Sequence, residues 1–465
     1  MRNFVRKIFN SQIMSNQAKF DSLRETFSFF CFQKYNYFVE NGDFFAEFSF
    51  SLDDKVIFKP KFTIPSRSFY QWDSLPKHLL ELLVFNIGMI ELVSYWKIAC
   101  PRKVVVKPFS LDENQVRWWK KLYFNGLGEF FYVNGIVTNI DDFMEIESSG
   151  ESSRITDGCG VILSDTTLVP VGGGKDSVVS LEILKAGRPV IPFIINPRGA
   201  TRDCVATSGF SEDRTAVVHR TLDPTMLKMN AEGYLNGHTP FSALLAFYSL
   251  LVAFASGSSF IALSNESSAN EPTVPDTEIN HQYSKSLAFE NDFRRYVKSY
   301  INPDIQYFSF LRPLNELQIA MLFSKLDEDF RTAFKSCNVG SKTDSWCGKC
   351  PKCLFTWLAM SPFINRKNLT SVFGKDLLKD VALKPILDEL DGETEVKPFE
   401  CVGTVGEVRA CVNHILLNDN DLDGSLLNDT AIFNSPSVDD FLSQFDVNNN
   451  LPDNFALLLK EALYG

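Results

Sequence analysis

Residues 167–187, TLVPVGGGKDSVVSLEILKAG, decide the fold. A short β-branched run stops at three consecutive glycines, and Lys175-Asp176-Ser177 then opens an apolar pattern of helical period. The stretch therefore reads as strand, tight bend and helix. Glycine lets the backbone take positive φ and approach a ligand with no Cβ in the way. The amides of Gly172, Gly173 and Gly174, with the positive end of the following helix, form a concavity suited to oxyanions. The GxxxxGK[ST] phosphate loop is absent, because Lys175 is followed by Asp176.

Working outward, the middle of the chain alternates strand and helix. Strands are expected at Thr167–Val171, Val190–Ile195, Ala216–Arg220, Phe260–Ser264 and Ile305–Leu311, with helices at Ser177–Ala186, Pro240–Ala255 and Ser284–Tyr300. That rhythm specifies an α/β domain over 160–365 with a doubly wound parallel sheet and ligands at the carboxyl ends of its strands. Residues 1–155 read as an α+β domain. There, alternation around Asn41-Gly42 in YNYFVENGDFFAEFSF signals a hairpin, and helical patterns follow at Leu75–Trp96 and Leu111–Phe131. EIESSGESSRITDGCG (145–160) reads as a linker or exposed loop. Residues 366–465 read as mainly helical, and their acidic loops NDNDLDG and DVNNNLPDN lack calcium-loop spacing and belong to a solvated surface.

The chain has 465 residues, 45% hydrophobic and 22% charged, enough for more than one domain and a sizeable core. A formal net charge of −11 argues against broad nucleic-acid binding and leaves room for a small anion in a local basic pocket. The start, MRNFVRKIFNSQIMSNQ, lacks the continuous apolar core and cleavage site of an export signal. Phe241–Leu263 is uncharged and long enough to span a bilayer, but Ser256-Gly257-Ser258-Ser259 breaks it into a core helix and a core strand. No membrane span and a cytoplasmic location are expected. Ten clustered cysteines fit a reducing compartment.

Two further groups of residues carry chemistry. Cys337, Cys347, Cys350 and Cys353, in SCNVGSKTDSWCGKCPKC, have the spacing to surround one tetrahedral zinc ion; an iron–sulfur cluster or four reduced thiols are the alternatives. The second group lies in NGHTPFS, SNESSANEPTV and INHQYSKSLAFE: His238, Asn265, Glu266, Asn270, Glu271, His281, Lys285 and Glu290. Polar residues packed this densely beside strand ends suit a substrate pocket. Arg202, Arg214 and Arg220 suit either anionic substrate groups or salt bridges.

VGGGKDS resembles the SGGxDS loop of the PP-loop ATP pyrophosphatases, which split ATP into AMP and diphosphate to activate an oxygen; their first Ser is Gly172 here. In order, VPVGGGKDSVVSLE, NGHTPFSA, LSNESSANE, NHQYSKSLAFE and CGKCPKCLFTWLA resemble the muramoyl-dipeptide epimerases of the MurL family. That resemblance implies ATP-dependent inversion of the terminal L-glutamate of UDP-N-acetylmuramoyl-L-alanyl-L-glutamate, in peptidoglycan synthesis and hence cell shape and division. ATP and Mg²⁺ are the implied cofactors, and the UDP-linked dipeptide is the implied partner. Converting the glutamate carboxylate to an acyl-adenylate removes its charge and acidifies the adjacent Cα–H. Under this reading Gly172, Gly173, Gly174 and Ser177 hold phosphate, Lys175 stabilises charge as diphosphate leaves, and Asp176 binds magnesium. The α-proton base is sought among His238, His281, Glu266, Lys285 and Glu290, with His281 and Lys285 favoured. Another PP-loop enzyme, such as a 7-cyano-7-deazaguanine synthase or a tRNA-modifying enzyme, and a non-catalytic nucleotide-binding protein are the alternative readings.

Overall fold

The structure, a computed structural model, describes residues 16–152, 161–340 and 343–465. The expected absence of an export signal concerns residues that lie mainly outside this range. The chain forms two compact units, each drawn from separated stretches: 1–164, 217–259 and 278–306 make the first, and 165–216, 260–277 and 307–465 the second.

The first unit is built on an aromatic sheet. Strands Phe29–Glu40 and Asp43–Leu52 pair antiparallel across Asn41-Gly42, where both residues take positive φ, 53° and 84°. Those angles match a two-residue type I′ turn, so the expected hairpin is present. The strands run in the order Ala216–Thr221, Lys61–Ile64, Asp43–Leu52, Phe29–Glu40, Lys103–Val106, Glu145–Ser148. Phe30, Phe32, Phe44, Phe48, Phe50 and Phe62 are buried to 1% exposure or less. Each such ring contributes roughly 1.5–3 kcal/mol on burial.

Helix Lys77–Trp96 packs on this sheet, with Phe85 stacked on Phe32 at 5.9 Å and Tyr95 on Phe50 at 5.6 Å. It is long and apolar enough to cross a membrane, yet 94% of its apolar window is buried inside the protein. Its polar groups are satisfied within the unit: Tyr296 donates to Asn86 (2.7 Å) and Tyr123 to the Met89 carbonyl (2.6 Å). The second apolar segment is a core helix, Phe241–Ser256, followed by strand Ser258–Leu263, as its Ser-Gly break required.

Two expectations need correction. Residues 145–148 are an edge strand, pairing in parallel with Lys103–Val106; the ladder satisfies their backbone although their composition suggests a loop. Glu151–Ser152 likewise pair in parallel with Phe109–Ser110, and residues 153–160 of that expected linker lie outside the described residues. The pattern over 111–131 is two helices, Glu113–Gly126 and Gly128–Asn134, because Leu127 leaves helical geometry.

The second unit is α/β. Its neighbouring strands are, in order, Gln306–Ser309, Ser258–Leu263, Ser164–Pro170 and Val190–Ile195, the last two parallel. Helix Lys175–Gly187 follows the glycine bend as expected and buries Val178, Val179, Leu181 and Leu184. Helix Gly199–Thr207, which the strand–helix reading had not included, lies between Val190–Ile195 and Ala216–Thr221. Beyond residue 366 the chain is mainly helical, ending in Asp453–Tyr464, whose Phe455 packs on Phe308 at 4.7 Å. In the acidic NDNDLDG loop Asp419 meets Arg366 at 2.9 Å and Asp421 meets Lys379 at 3.0 Å.

Arg220 clamps Glu91 in the first unit, with Nη2 2.6 Å from Oε2, and Tyr248 donates to the same carboxylate at 3.1 Å. The guanidinium offered for substrate anions is thus committed to a buried pair. Removing one partner strands the other charge, so Glu91→Gln should lower unfolding free energy by about 3 kcal/mol in urea titrations. Glu91→Met with Arg220→Met should recover most of that loss.

Candidate functional site

The glycine bend of the second unit is held from behind. Gly173 has φ +83°, and a Cβ there would sit 3.1 Å from the backbone of Ala200 and Thr201, so only glycine fits. The Gly173 carbonyl accepts the Lys335 amide at 2.8 Å, and Ser336 Oγ would lie 3.0 Å from a Cβ on Gly174. Gly172 has open space beside it, the room a ligand needs. Gly174 is the N-cap of helix Lys175–Gly187 and makes no side-chain cap, leaving first-turn amides for an anion.

Lys175 is 4% exposed, and its Nζ is 2.5 Å from Asp176 and also bonded to Glu316. Burial pushes its pKa down, but Asp176 and Glu316 outweigh burial and keep it charged. Burial drives the Glu316 carboxyl upward, with Lys175 pulling the other way and Asp176, Glu266 and Glu407 adding repulsion. Glu407 is fully engaged: one oxygen takes the Glu316 amide at 2.7 Å and the other takes Thr404 N and Oγ1. Glu266 accepts from Ser268 at 3.1 Å, and its own carbonyl accepts from buried Arg312 at 2.5 Å. Asn265 donates to Ser309 at 3.0 Å, and Glu271 pairs with Lys397. Asn270 ends a short 3₁₀ turn over Ser267–Asn270. Glu316, Glu407 and Arg312 went unnoticed in the sequence, where NELQ shows only a capping box at a helix start.

One residue beyond Ser336 the chain reaches Cys337. The sulfurs of Cys337 and Cys350 are 3.6 Å apart, those of Cys347 and Cys353 3.7 Å, and those of Cys350 and Cys353 3.6 Å. Four thiolates at about 2.3 Å from one tetrahedral ion stand about 3.8 Å from each other, so the set fits a single zinc ion. Thiolates bound to the separate irons of a cluster stand farther apart than this. Gly348, at φ +62°, makes the knuckle turn, and Cys350 caps helix Pro351–Met360.

The first unit assembles a different group. His281 Nδ1 bonds to Glu129 Oε2, and His238 Nδ1 lies 3.3 Å from that same oxygen. The imidazole centres are 4.7 Å apart. Glu129 comes from helix Gly128–Asn134, His238 from the loop before helix Phe241–Ser256, and His281 from the turn before Tyr283–Lys285. Pro240 packs against Gly126, where a Cβ would be 2.7 Å from its ring, and so docks the His238 loop on the end of helix Glu113–Gly126, while a Cβ on Gly237 would be 2.9 Å from Phe130 of the Glu129 helix. Lys97 donates to the Gly237 carbonyl, and burial brings its pKa down to about 8. Burial, then His281, lower His238 to about 4, with Lys97 and Lys285 adding to the shift and Glu129 opposing it. On donor count alone Glu129, His238 and His281 can hold a metal ion, but the two lysine charges oppose one. Lys285 reaches Gln282 at 3.5 Å, and Glu290 is buried in the first turn of helix Leu287–Tyr300. Of the residues proposed for one pocket, His238 and His281 are in direct contact. The carboxylate joining them, in GLGEFF, carries no motif.

Residues 21–310 match the MurL N-terminal domain and residues 332–436 the MurL C-terminal domain. Three curated relatives carry the name UDP-N-acetyl-alpha-D-muramoyl-L-alanyl-L-glutamate epimerase. That of Xanthomonas oryzae pv. oryzae is 35% identical over 70% of this chain and 72% of its own length. Those of Salinispora tropica and a Micromonospora species are 34% and 37% identical, over 81% and 71% of this chain and 82% and 72% of their own lengths. No solved structure is significantly similar.

A pH dependence follows from His238. Its folded pKa, about 4, is below its ordinary 6.5, so its contribution to stability is present above 6.5 and lost as pH falls toward 4. Urea unfolding should show a loss of about 3 kcal/mol across that window, and His238→Asn should remove that part of the slope.

Proposed function

The chain belongs to the MurL family, and from that premise we propose that it inverts the terminal glutamate of UDP-N-acetyl-α-D-muramoyl-L-alanyl-L-glutamate for peptidoglycan synthesis. The observation that carries the reading is relationship over most of the chain joined to a glycine bend whose amides and charged lysine suit a polyphosphate. A PP-loop type of fold, a cytoplasmic reaction, ATP with magnesium and release of AMP and diphosphate belong to the same proposal.

Its chemistry follows from charge. A carboxylate beside a carbon opposes formation of a carbanion there, and acylation by AMP removes that charge. Lys175, desolvated and protonated, suits the negative charge that grows as diphosphate leaves. Asp176, one-third exposed at the rim of the bend, suits magnesium on the phosphates. Glu266 lies in the buried acidic group around Glu316, and Asn265, Asn270 and Glu271 follow the same strand as substrate-binding candidates. His281 and Lys285 are the favoured candidates for the α-proton, with His238 and Glu290 as substrate contacts.

Zinc suits the four cysteines, and the Lys335–Gly173 bond passes the rigidity of that clip to the bend. Elemental analysis should find one zinc per chain. Cys353→Ser should lose it and raise the KM for ATP; an unchanged metal content would refute the site.

Purified protein given ATP, magnesium and the UDP-linked dipeptide in deuterated water should yield AMP, diphosphate and D-glutamate deuterated at Cα. ADP as product would reject the proposed cleavage, and AMP without inversion would favour another adenylating enzyme. Lys175→Ala and Asp176→Asn should each cut AMP formation by at least about 100-fold.

A further inference from the structure

We infer that Glu129, His238 and His281 form one acid–base unit that serves a single face of the substrate's α-carbon, with Glu129 as its positioning residue. The inference rests on the epimerase reading and adds to it a residue and a stereochemical limit.

Both Nδ1 atoms converge on one oxygen, Glu129 Oε2, with His281 bonded to it and His238 at 3.3 Å. An ionised carboxylate only accepts, so His281 directs an Nδ1–H toward it and carries its lone pair on Nε2, while His238 places its Nδ1 beside the same oxygen without a hydrogen bond to it. One side chain thus sets the tautomer and tilt of His281, as a carboxylate does for a catalytic histidine elsewhere, and draws His238 against the same oxygen. Glu129 is only 17% exposed and the histidines 23% and 12%, which limits the screening of these contacts by water. Lys97 and Lys285 add positive charge around His238, which favours its neutral form.

The spacing limits what the pair can do. Two bases acting on opposite faces of one carbon each need an approach of about 3–3.5 Å, which separates their nitrogens by about 6–7 Å and their ring centres by more. These ring centres are 4.7 Å apart, too close for a carbon to sit between them with both lone pairs aimed at it. The histidines therefore work from the same side, and a different group or solvent handles the other face.

The test uses the full chain with ATP, magnesium and the L-glutamyl substrate in deuterated water. AMP formation, Cα–H exchange in unreacted substrate and formation of D-glutamate are followed separately. Glu129→Gln should lower inversion kcat by about 100-fold, with AMP formation within a few-fold of wild type, and Glu129→Asp should restore part of it. His238→Asn and His281→Asn should share one exchange phenotype, and the double variant should be little worse than either. A split, with one histidine variant exchanging the α-proton without inversion and the other not exchanging, would mean opposed bases and overturn the inference. Inversion at the wild-type rate in Glu129→Gln would overturn it too. Wild-type protein that never inverts the substrate would instead defeat the epimerase reading itself.

Discussion

The hydrogen bond from the Lys335 amide to the Gly173 carbonyl is the constraint on which the second unit's site depends. A glycine-rich bend has many conformations, and a free one would lose much entropy on gripping a ligand. Here the bend is already pinned: Ala200 and Thr201 crowd Gly173, and Ser336 stands beside Gly174. The pinning segment runs directly into Cys337, the first member of the four-sulfur set. Local backbone freedom and nonlocal restraint thus meet at three glycines, which stay open only on the side of Gly172.

Both units bury charge, and they do so differently. In the first, Arg220 and Glu91 face each other in a closed, bidentate pair with Tyr248 completing the acceptor. Such a pair is self-contained and suits structure. In the second, one ammonium, Lys175, is set among Asp176 and Glu316, with Glu266 and Glu407 also acting on Glu316. Burial raises the pKa of both Glu316 and Glu407, which favours their neutral forms around the single ammonium. The Glu129 group is intermediate: one carboxylate divides its attention between two imidazoles.

Much of this was legible in the chain. Alternation around Asn41-Gly42 specified the hairpin because a two-residue turn with positive φ accepts few other pairs. The β-branched run, glycines and helix pattern specified strand, bend and helix, and the cysteine spacing specified four sulfurs near one point. The edge strand at 145–148 was hidden because its stability comes from a partner ladder and its composition resembles a loop. Leu127 ended a helix that periodicity alone would have continued.

The sequence by itself determined the local chemistry: which residues can bend, cap, ligate or carry charge, since those properties belong to short stretches. Tertiary structure decided the company they keep. Glu316 lies 141 positions from Lys175, and Glu129 lies 152 from His281. Neither carboxylate has a motif, because a partner's identity depends on how distant elements pack, and packing is encoded in the whole core rather than beside the residue it positions.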